Sequence, residues 1–409
     1  MKIANLGVVA VNLGSVVRNR AAKLYRHYAS RARRLVKRSA EQAKNTSTRA
    51  RQAAERGADG FEHMRGDAVR SARYWTRLKQ QLVEPVGHDL SIRRELRAVA
   101  SGSGTIVVGP WLSEVGYEAL YWVPFVRWFA HQYRIEPERL VVVSRGGTGS
   151  WYADVAPRYV ELLDLFDPDD FARRNAERQA SGDQKQLAAT AFDEEILRRM
   201  EARHGVRPGT LLHPSLMFRL LRRFWLGNAT LEYALQHLKF APLGPVAGLS
   251  IPPLPDHFTA AKFYTGTAIR DTPEHRGLLR AIVERLAGRG PVVLLGTGLR
   301  LDEHEDFLFG GIPNVTGLDR AVSPQVNLAV QTEVIRRSSL FVGTAGSLAW
   351  LAPMLGVDTV ALHADDRFLG PHLYAARYAY ASMPAGRFMA LDLNGAAHLD
   401  LVLPQGAVK

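Results

Sequence analysis

The 409-residue chain predicts an α/β protein of two parallel-sheet units behind a basic helical arm. Three observations carry that prediction. Short buried-strand runs alternate with helix-length stretches from residue 104 onward, the pattern of a parallel sheet covered by helices on both faces. The alternation breaks at the Pro- and Gly-rich stretch APLGPVAGLSIPPLPDH (241–257) and then resumes, which marks a boundary between two units. Charge is equally uneven. Residues 1–100 hold 22 Lys and Arg against 8 Asp and Glu, and the rest of the chain is nearly balanced, so the net charge of +13 belongs to the arm. The division expected is an arm over 1–100, an N-terminal unit over 101–245 and a C-terminal unit over 246–409. With 46% hydrophobic and 23% charged residues, neither a disordered nor a fibrous chain fits. The absence of Cys excludes disulfide scaffolds, thiolate zinc sites and cysteine nucleophiles.

In the arm, Leu24, Tyr28, Ala32, Leu35 and Val36 recur at helical spacing, as do Phe61, Met64, Ala68, Ala72 and Trp75. Gly57, Gly60 and Gly66 weaken the middle, and Pro85 and Gly87 mark the expected end. Such a basic amphipathic segment, over residues 17–80, suits an anionic membrane surface. Pairing with another helix, or a solvated face, is the competing reading; nucleic acid is disfavoured because no recognised module is present. The first 17 residues lack a strong apolar core and a small-residue cleavage site, so no cleaved signal peptide is expected. The longest uncharged run, 338–357, has the length of a membrane span but reads as strand, turn and helix. The expected location is cytoplasmic, with peripheral attachment to the inner face of the plasma membrane through the arm.

The elements follow in order. TIVV (105–108) is a buried strand, the turn GPWLSEVG follows, and a helix is expected over 117–133. LVVVS (140–144) is the next strand, followed by the loop RGGTGS and a helix over 155–165. Residues 167–207 read as charged helices inserted into this unit, and 213–240 as further helix. After the boundary come strand 259–264, helix 273–287, strand 292–295, helix 324–337, strand 340–342, helix 347–355 and strand 359–362. The loops GTG (296–298), GTAG (343–346) and HADD (363–366) fall at carboxyl ends of strands, where open α/β sheets bind ligands.

The run SSLFVGTAGSLAWLAPMLGVDTVAL (338–362) resembles the C-terminal donor-site segment of GT-B glycosyltransferases. It is closest in style to the bacterial heptosyltransferase and fucosyltransferase-like enzymes of surface polysaccharide synthesis. The opening GPWLSEVGYEALYW (109–122) is similar to the first strand-loop-helix of the same group. The resemblance covers residues 104–390, and the arm has no counterpart in it. It implies two Rossmann-like domains facing a cleft (GT-B-like) and a nucleotide-diphosphate sugar as donor. It also implies a glycan or lipid-linked acceptor in bacterial envelope polysaccharide synthesis, with no cofactor beyond the donor.

Within that frame, Gly343, Thr344, Gly346 and Ser347 read as a diphosphate site, since glycines admit close backbone approach and a helix N-terminus favours an anion. Thr344 and Ser347 serve equally as helix caps. A leaving nucleoside diphosphate develops negative charge that a positioned cation offsets without a metal. Lys262 and Arg270, beside Tyr264, are the candidates; the alternatives are a snorkelling or paired Lys262 and a solvated Arg270. Gly296 and Thr297 follow a buried strand, and Asp302 and His304 are placed near the ribose or base, or as helix caps. A metal site among residues 302–306 is rejected, because one His among sequential carboxylates gives poor geometry. His363 either touches the donor or is a core histidine.

On the acceptor side, transfer with inversion needs a group that takes a proton from the acceptor hydroxyl. Glu114 and Glu118 are the candidates, or else they are charges favoured by a helix N-terminus. Trp111, Arg145 and Trp151 are candidate acceptor contacts, whereas Tyr121 and Trp122 read as core. The function expected is metal-independent glycosyl transfer. The alternatives are a nucleotide-sugar epimerase and a non-catalytic nucleotide-sugar-binding or scaffold protein on the same fold.

Overall fold

The computed structural model describes residues 84–180, 185–207, 209–297, 299, 304–318, 322–367 and 369–394. The arm up to residue 83, with its membrane-surface segment 17–80, lies outside the described residues, as do Gly298 and Asp302.

Helix α1 (Glu84–Ser101) corrects the expected end of the arm. Pro85 and Gly87 lie at its start, where the missing N–H of proline costs nothing, so they open a helix instead of closing one. Ile92 and Leu96, four apart on one face, are fully buried in the main core. Arg219 and Arg223 pair with Glu95 and Asp89. Residues 89–101 therefore belong to the body, and the chain divides between His88 and Asp89 instead of at residue 100.

The first sheet contains β1 (Ile106–Val108), β2 (Leu140–Ser144), β3 (Arg158–Glu161) and β4 (Thr210–Leu212), all parallel in the order β3-β2-β1-β4. The second contains β5 (Thr259–Lys262), β6 (Val292–Leu294), β7 (Val315–Gly317), β8 (Leu340–Thr344), β9 (Thr359–His363) and β10 (Phe388–Asp392). These too are parallel, in the order β10-β9-β8-β5-β6-β7. Numbered from its own first strand, the second sheet is the complete 3-2-1-4-5-6 order of a doubly wound Rossmann fold, and the first sheet is its 3-2-1-4 part. The order reverses beside the first strand of each, so the two switch points lie between β1 and β4 and between β5 and β8. The fold is thus α/β with two Rossmann-like sheets, the GT-B-like class expected. Strands β1 and β2 are buried at every residue because central parallel strands are covered on both faces.

The helical layer contains α2, in three consecutive pieces (Val115–Tyr117, a π turn Glu118–Trp122, and Val123–Tyr133). It continues with α3 (Pro168–Ala180), α4 (Ala191–His204), α5 (Pro214–Trp225) and α6 (Leu231–Leu235). The second half adds α7 (Pro273–Ala287), α8 (Asn327–Arg337), α9 (Ser347–Leu351) and α10 (Gly370–Ala381). Two expectations change. The helix expected over 155–165 is the edge strand β3 between short 3₁₀ turns; Pro157 breaks helical continuity and pushes the residue before it toward extended backbone. The charged helices of 167–207 are not an insertion: α3 and α4 form the crossover from β3 to β4.

One core runs through both halves, packing Val108, Trp122 and Phe125 together with Phe341, Leu348 and Trp350. A second cluster lies under β5, β6 and α7, and a third joins β1–β3 to α3 and α4. No helix among the described residues is long and apolar enough to cross a membrane.

Candidate active site

The loop leaving β1 is tied to the sheet by two backbone bonds, Gly109 N to Leu212 O and Trp111 N to Val143 O, and beyond them by side chains. Arg145, just past β2, donates to the carbonyls of Trp111 (3.3 Å) and Ser113 (2.9 Å). Arg178 of α3 donates to the Leu112 carbonyl at 3.3 Å. Gln186 closes the third side: its Oε1 accepts from Leu112 N (2.9 Å) and Ser113 Oγ (3.0 Å), while its Nε2 donates to Pro110 O (3.0 Å). Arg145, Arg178 and Gln186 are all at most 5% exposed. Buried backbone groups must find partners, and here they find them in residues from three distant elements, which fixes the loop in one conformation. At its end stands Glu114, in extended backbone just before α2, with its side chain 41% exposed.

The facing wall comes from the second sheet's switch point. Lys262 ends β5, and its Nζ lies 3.0 Å from Gln331 Oε1 and 3.3 Å from Asp306. Gln331 in turn donates to Asn327 Oδ1 at 2.8 Å, and Asp306 accepts from Thr297 N at 3.2 Å. A polar row thus crosses the ends of β5, β6 and α8. Beside it, Gly346 has φ +126°, a conformation closed to side chains, and a Cβ there would fall 2.4 Å from Tyr264 Oη. Ser347 follows with φ +37°, a left-handed conformation unfavourable for a non-glycine residue, and such strain collects at functional sites.

The two switch points meet. A Cβ on Gly116 would lie 2.7 Å from Ser347 N, so the start of α2 and the start of α9 touch backbone to backbone. Two adjoining cavities open there. One, of about 690 Å³, is lined by Glu114, Arg145, Lys262, Thr297, Gln331 and Ser347 among others. The other, of about 1590 Å³, is lined by Glu114, Tyr117, Lys185, Gly346, Ser347 and His372 among others. Glu114, Gly116, Tyr264, His304 and Ser347 border both.

Of the residues singled out in the sequence, Glu114, Arg145, Lys262, Tyr264, Thr297, His304, Gly346 and Ser347 are brought together at these cavities. Glu118 is not. It opens the π turn of α2 and is fully buried, its Oε1 accepting from Ser144 Oγ (2.6 Å), Tyr152 Oη (2.7 Å) and Thr148 Oγ1 (3.3 Å). Burial raises its carboxyl to about 7, against the pull of those hydroxyls and of Arg145. A base for an acceptor hydroxyl must reach the cleft, and Glu118 does not.

Trp111 is also core, stacked on Trp122 and Phe218 at 5.7 and 5.8 Å. Trp151 is fully buried, and its Nε1 donates to Thr332 Oγ1 at 3.0 Å, which ties the two halves together and leaves no face for an acceptor. Arg270 is 68% exposed beside Asp365 and lines neither cavity. Thr344 spends its hydroxyl on Tyr264, accepting from its N–H at 3.0 Å. Gly343 lets β8 approach β5, since a Cβ there would be 2.5 Å from Lys262 O. Gly296 packs against Leu308 and Asp306, and His363 sits in β9 with Nδ1 buried and unpartnered; both are outside the cavity linings.

The structure adds residues that the sequence reading passed over. Lys185 reaches Glu114 Oε1 at 2.6 Å and lies 3.8 Å above the Tyr117 ring. Burial alone would lower its pKa, but Glu114 and Tyr117 outweigh that and raise it. His372 of α10 has both ring nitrogens on tyrosines, Tyr117 at 3.2 Å and Tyr121 at 2.7 Å. Burial, aided by Lys185, lowers it to about 4, so the ring is neutral at pH 7. Asn327 and Gln331 carried a readable signal: they are polar at i and i+4 in α8, whose first nine residues are all buried. Lys185 carried none, being a lone Lys in a polar loop, SGDQKQ. Among the described residues, no three His, Asp or Glu side chains converge in a way that could hold a metal ion.

Comparison with protein-family models gives no match, and comparison with curated proteins gives none. Solved structures similar to the chain include a glycosyl transferase family 9 protein from Veillonella parvula DSM 2008, at 11% identity and TM-score 0.38, covering 75% of this chain and 91% of that one. The glycotransferase of kitacinnamycin matches at 13% identity and TM-score 0.30, covering 74% and 90%. The E. coli ADP-heptose LPS heptosyltransferase II matches at 12% identity and TM-score 0.35, covering 70% and 90%. At such scores a functional reading must come from the chemistry of the site itself.

Proposed function

We propose that the chain is a glycosyltransferase that moves a sugar from a nucleotide-diphosphate donor to an acceptor hydroxyl. The observation that carries this reading is the meeting of two switch points. The carboxyl ends of two Rossmann-like sheets border one cleft, with Glu114 on the first wall and Lys262 on the second. Ligands of open α/β sheets bind at such points. In this reading the donor's diphosphate lies in the smaller cavity, against Ser347 and the Gly346 turn. Lys262 and Arg145 offset the charge that develops as the glycosidic bond breaks, so that no metal is required. Glu114, carried by the fixed loop that leaves β1 and open to both cavities, takes the proton from the acceptor hydroxyl. The acceptor is a glycan or lipid-linked glycan of the bacterial envelope, and the basic arm, residues 17–80, holds the enzyme to an anionic membrane surface.

Thermal stabilisation of the full chain by GDP, UDP, ADP, dTDP and CMP tests the donor assignment. A ligand that binds only the folded state at 100 times its Kd adds about 2.7 kcal/mol. One nucleotide is expected to stabilise selectively; a folded chain that responds to none refutes the reading. In the same assay Glu114→Gln retains the nucleotide response while losing transfer, and near-normal turnover would remove it as the base. Co-sedimentation of the full chain with anionic and with neutral vesicles checks the arm, which should require the anionic lipid.

A further inference from the structure

The larger cavity has few charged groups in its lining. Among its described lining residues Glu114 is the one carboxylate and Lys185 the one ammonium, beside two imidazoles, His304 and the neutral His372. Glu114 and Lys185 are bonded to each other at 2.6 Å. The carboxylate placed to act as base is thus occupied by the ammonium beside it, and freeing it for an acceptor hydroxyl requires another anion for Lys185.

Lys185 is built to stay where it is when Glu114 lets go. Its neighbour Gln186 is 1% exposed and locked to the 110–113 loop by three hydrogen bonds, which fixes the backbone from which Lys185 projects. The Tyr117 ring, 3.8 Å from the ammonium, gives it a second electrostatic support that is independent of Glu114. Glu114, 41% exposed, borders both cavities with its carboxylate on Lys185. Of the two, the cation keeps an electrostatic support when the pair opens.

We propose that the larger cavity receives an acceptor bearing an anionic oxygen group, a carboxylate or a phosphate, which replaces Glu114 on Lys185 and so releases the base. This inference rests on the transferase reading for the role of Glu114, but the binding site itself does not depend on it. The acceptor acts as its own trigger: a hydroxyl compound without the anion leaves Glu114 on Lys185.

The test uses the full chain and three probes, D-glucuronate, glucose 6-phosphate and neutral glucose, titrated by calorimetry or ligand-observed NMR. Because Glu114 competes with the anion, Glu114→Gln should bind one of the two anions at least about tenfold more tightly than wild type, a difference of about 1.4 kcal/mol. Lys185→Met should lose that binding and Lys185→Arg should keep it, while glucose distinguishes none of the proteins. The anion that responds names the source, and phosphate binding in the donor cavity would not depend on Lys185. An unchanged or weaker affinity in Glu114→Gln, or wild-type affinity in Lys185→Met, overturns the proposal. If Lys185→Met fails to fold, the comparison of wild type with Glu114→Gln decides alone. Nucleoside-diphosphate titration of the same proteins separates the two readings. An anion response without nucleotide binding refutes the transferase, and nucleotide binding without an anion response refutes the exchange.

Discussion

Replacing Gln186 with Ala should unfasten the loop that presents Glu114. The side chain gives the loop three hydrogen bonds, from Leu112 N, from Ser113 Oγ and to Pro110 O. The Ser113 hydroxyl can rotate to another acceptor, but the Leu112 N–H and the Pro110 carbonyl are backbone groups fixed in a buried site. Each unsatisfied buried group costs about 1–3 kcal/mol, so with two of them the variant should lose roughly 2–6 kcal/mol. That is a large share of the 5–15 kcal/mol typical of a folded domain. Gln186 also adopts φ +35°, which Gly tolerates better than Ala. Gln186→Gly should therefore fall less far than Ala, by about 1 kcal/mol. Urea unfolding at pH 7 reads both values as shifts in midpoint at unchanged slope. A loss below about 1 kcal/mol for Ala would refute the reasoning, because it would mean that the loop holds its shape without the side chains that surround it.

Other outcomes follow from single contacts. Burial raises Glu118 from 4.5 to about 7, so the folded state holds this proton more tightly than the unfolded chain. The stability of the protonated form is therefore complete below pH 4.5 and declines as pH climbs to about 7, by roughly 3 kcal/mol. Glu118→Gln should gain on wild type by that amount between pH 4.5 and 8 in urea midpoints, and a pH-independent difference would contradict it. Gly346→Ala places a Cβ 2.4 Å from Tyr264 Oη and should cost about 1–3 kcal/mol, part of which Tyr264→Phe restores. Purely additive midpoints would deny the clash. Lys262→Met should weaken binding of the stabilising nucleoside diphosphate at least about tenfold, or about 1.4 kcal/mol, by titration calorimetry; unchanged affinity would take Lys262 out of the donor site.

The sheet was legible where strands are central. TIVV, LVVVS, VVLL and TVALH are continuous apolar runs because both faces are covered. The strands β4, β7 and β10 were not foreseen: β4 and β7 have only three residues, and all three carry partly exposed positions that blur any pattern. For the site, location at a strand's carboxyl end found Glu114, Lys262 and Ser347 without knowledge of side-chain direction. Direction was what failed. Glu118 lies four residues past Glu114, yet α2 begins between them and passes into a π turn at Glu118, whose side chain goes to the core. Trp111 and Trp151 looked like sugar platforms in loops, but their rings are fully buried. Lys185 is brought to the cleft by contacts of Gln186 with residues more than 70 positions away, and no local pattern encodes such an approach.

The backbone contact between Gly116 and Ser347 has a consequence for anyone who would re-engineer the molecule by exchanging parts. A graft that replaces one half with that of another protein brings its own residue to position 116 or its own loop to position 347, and the native partner admits no side chain there. Specificity is therefore not modular in this chain. A functional chimera must import the two loops as a pair, or carry glycine at 116, before any change in its sugar or acceptor preference can be read.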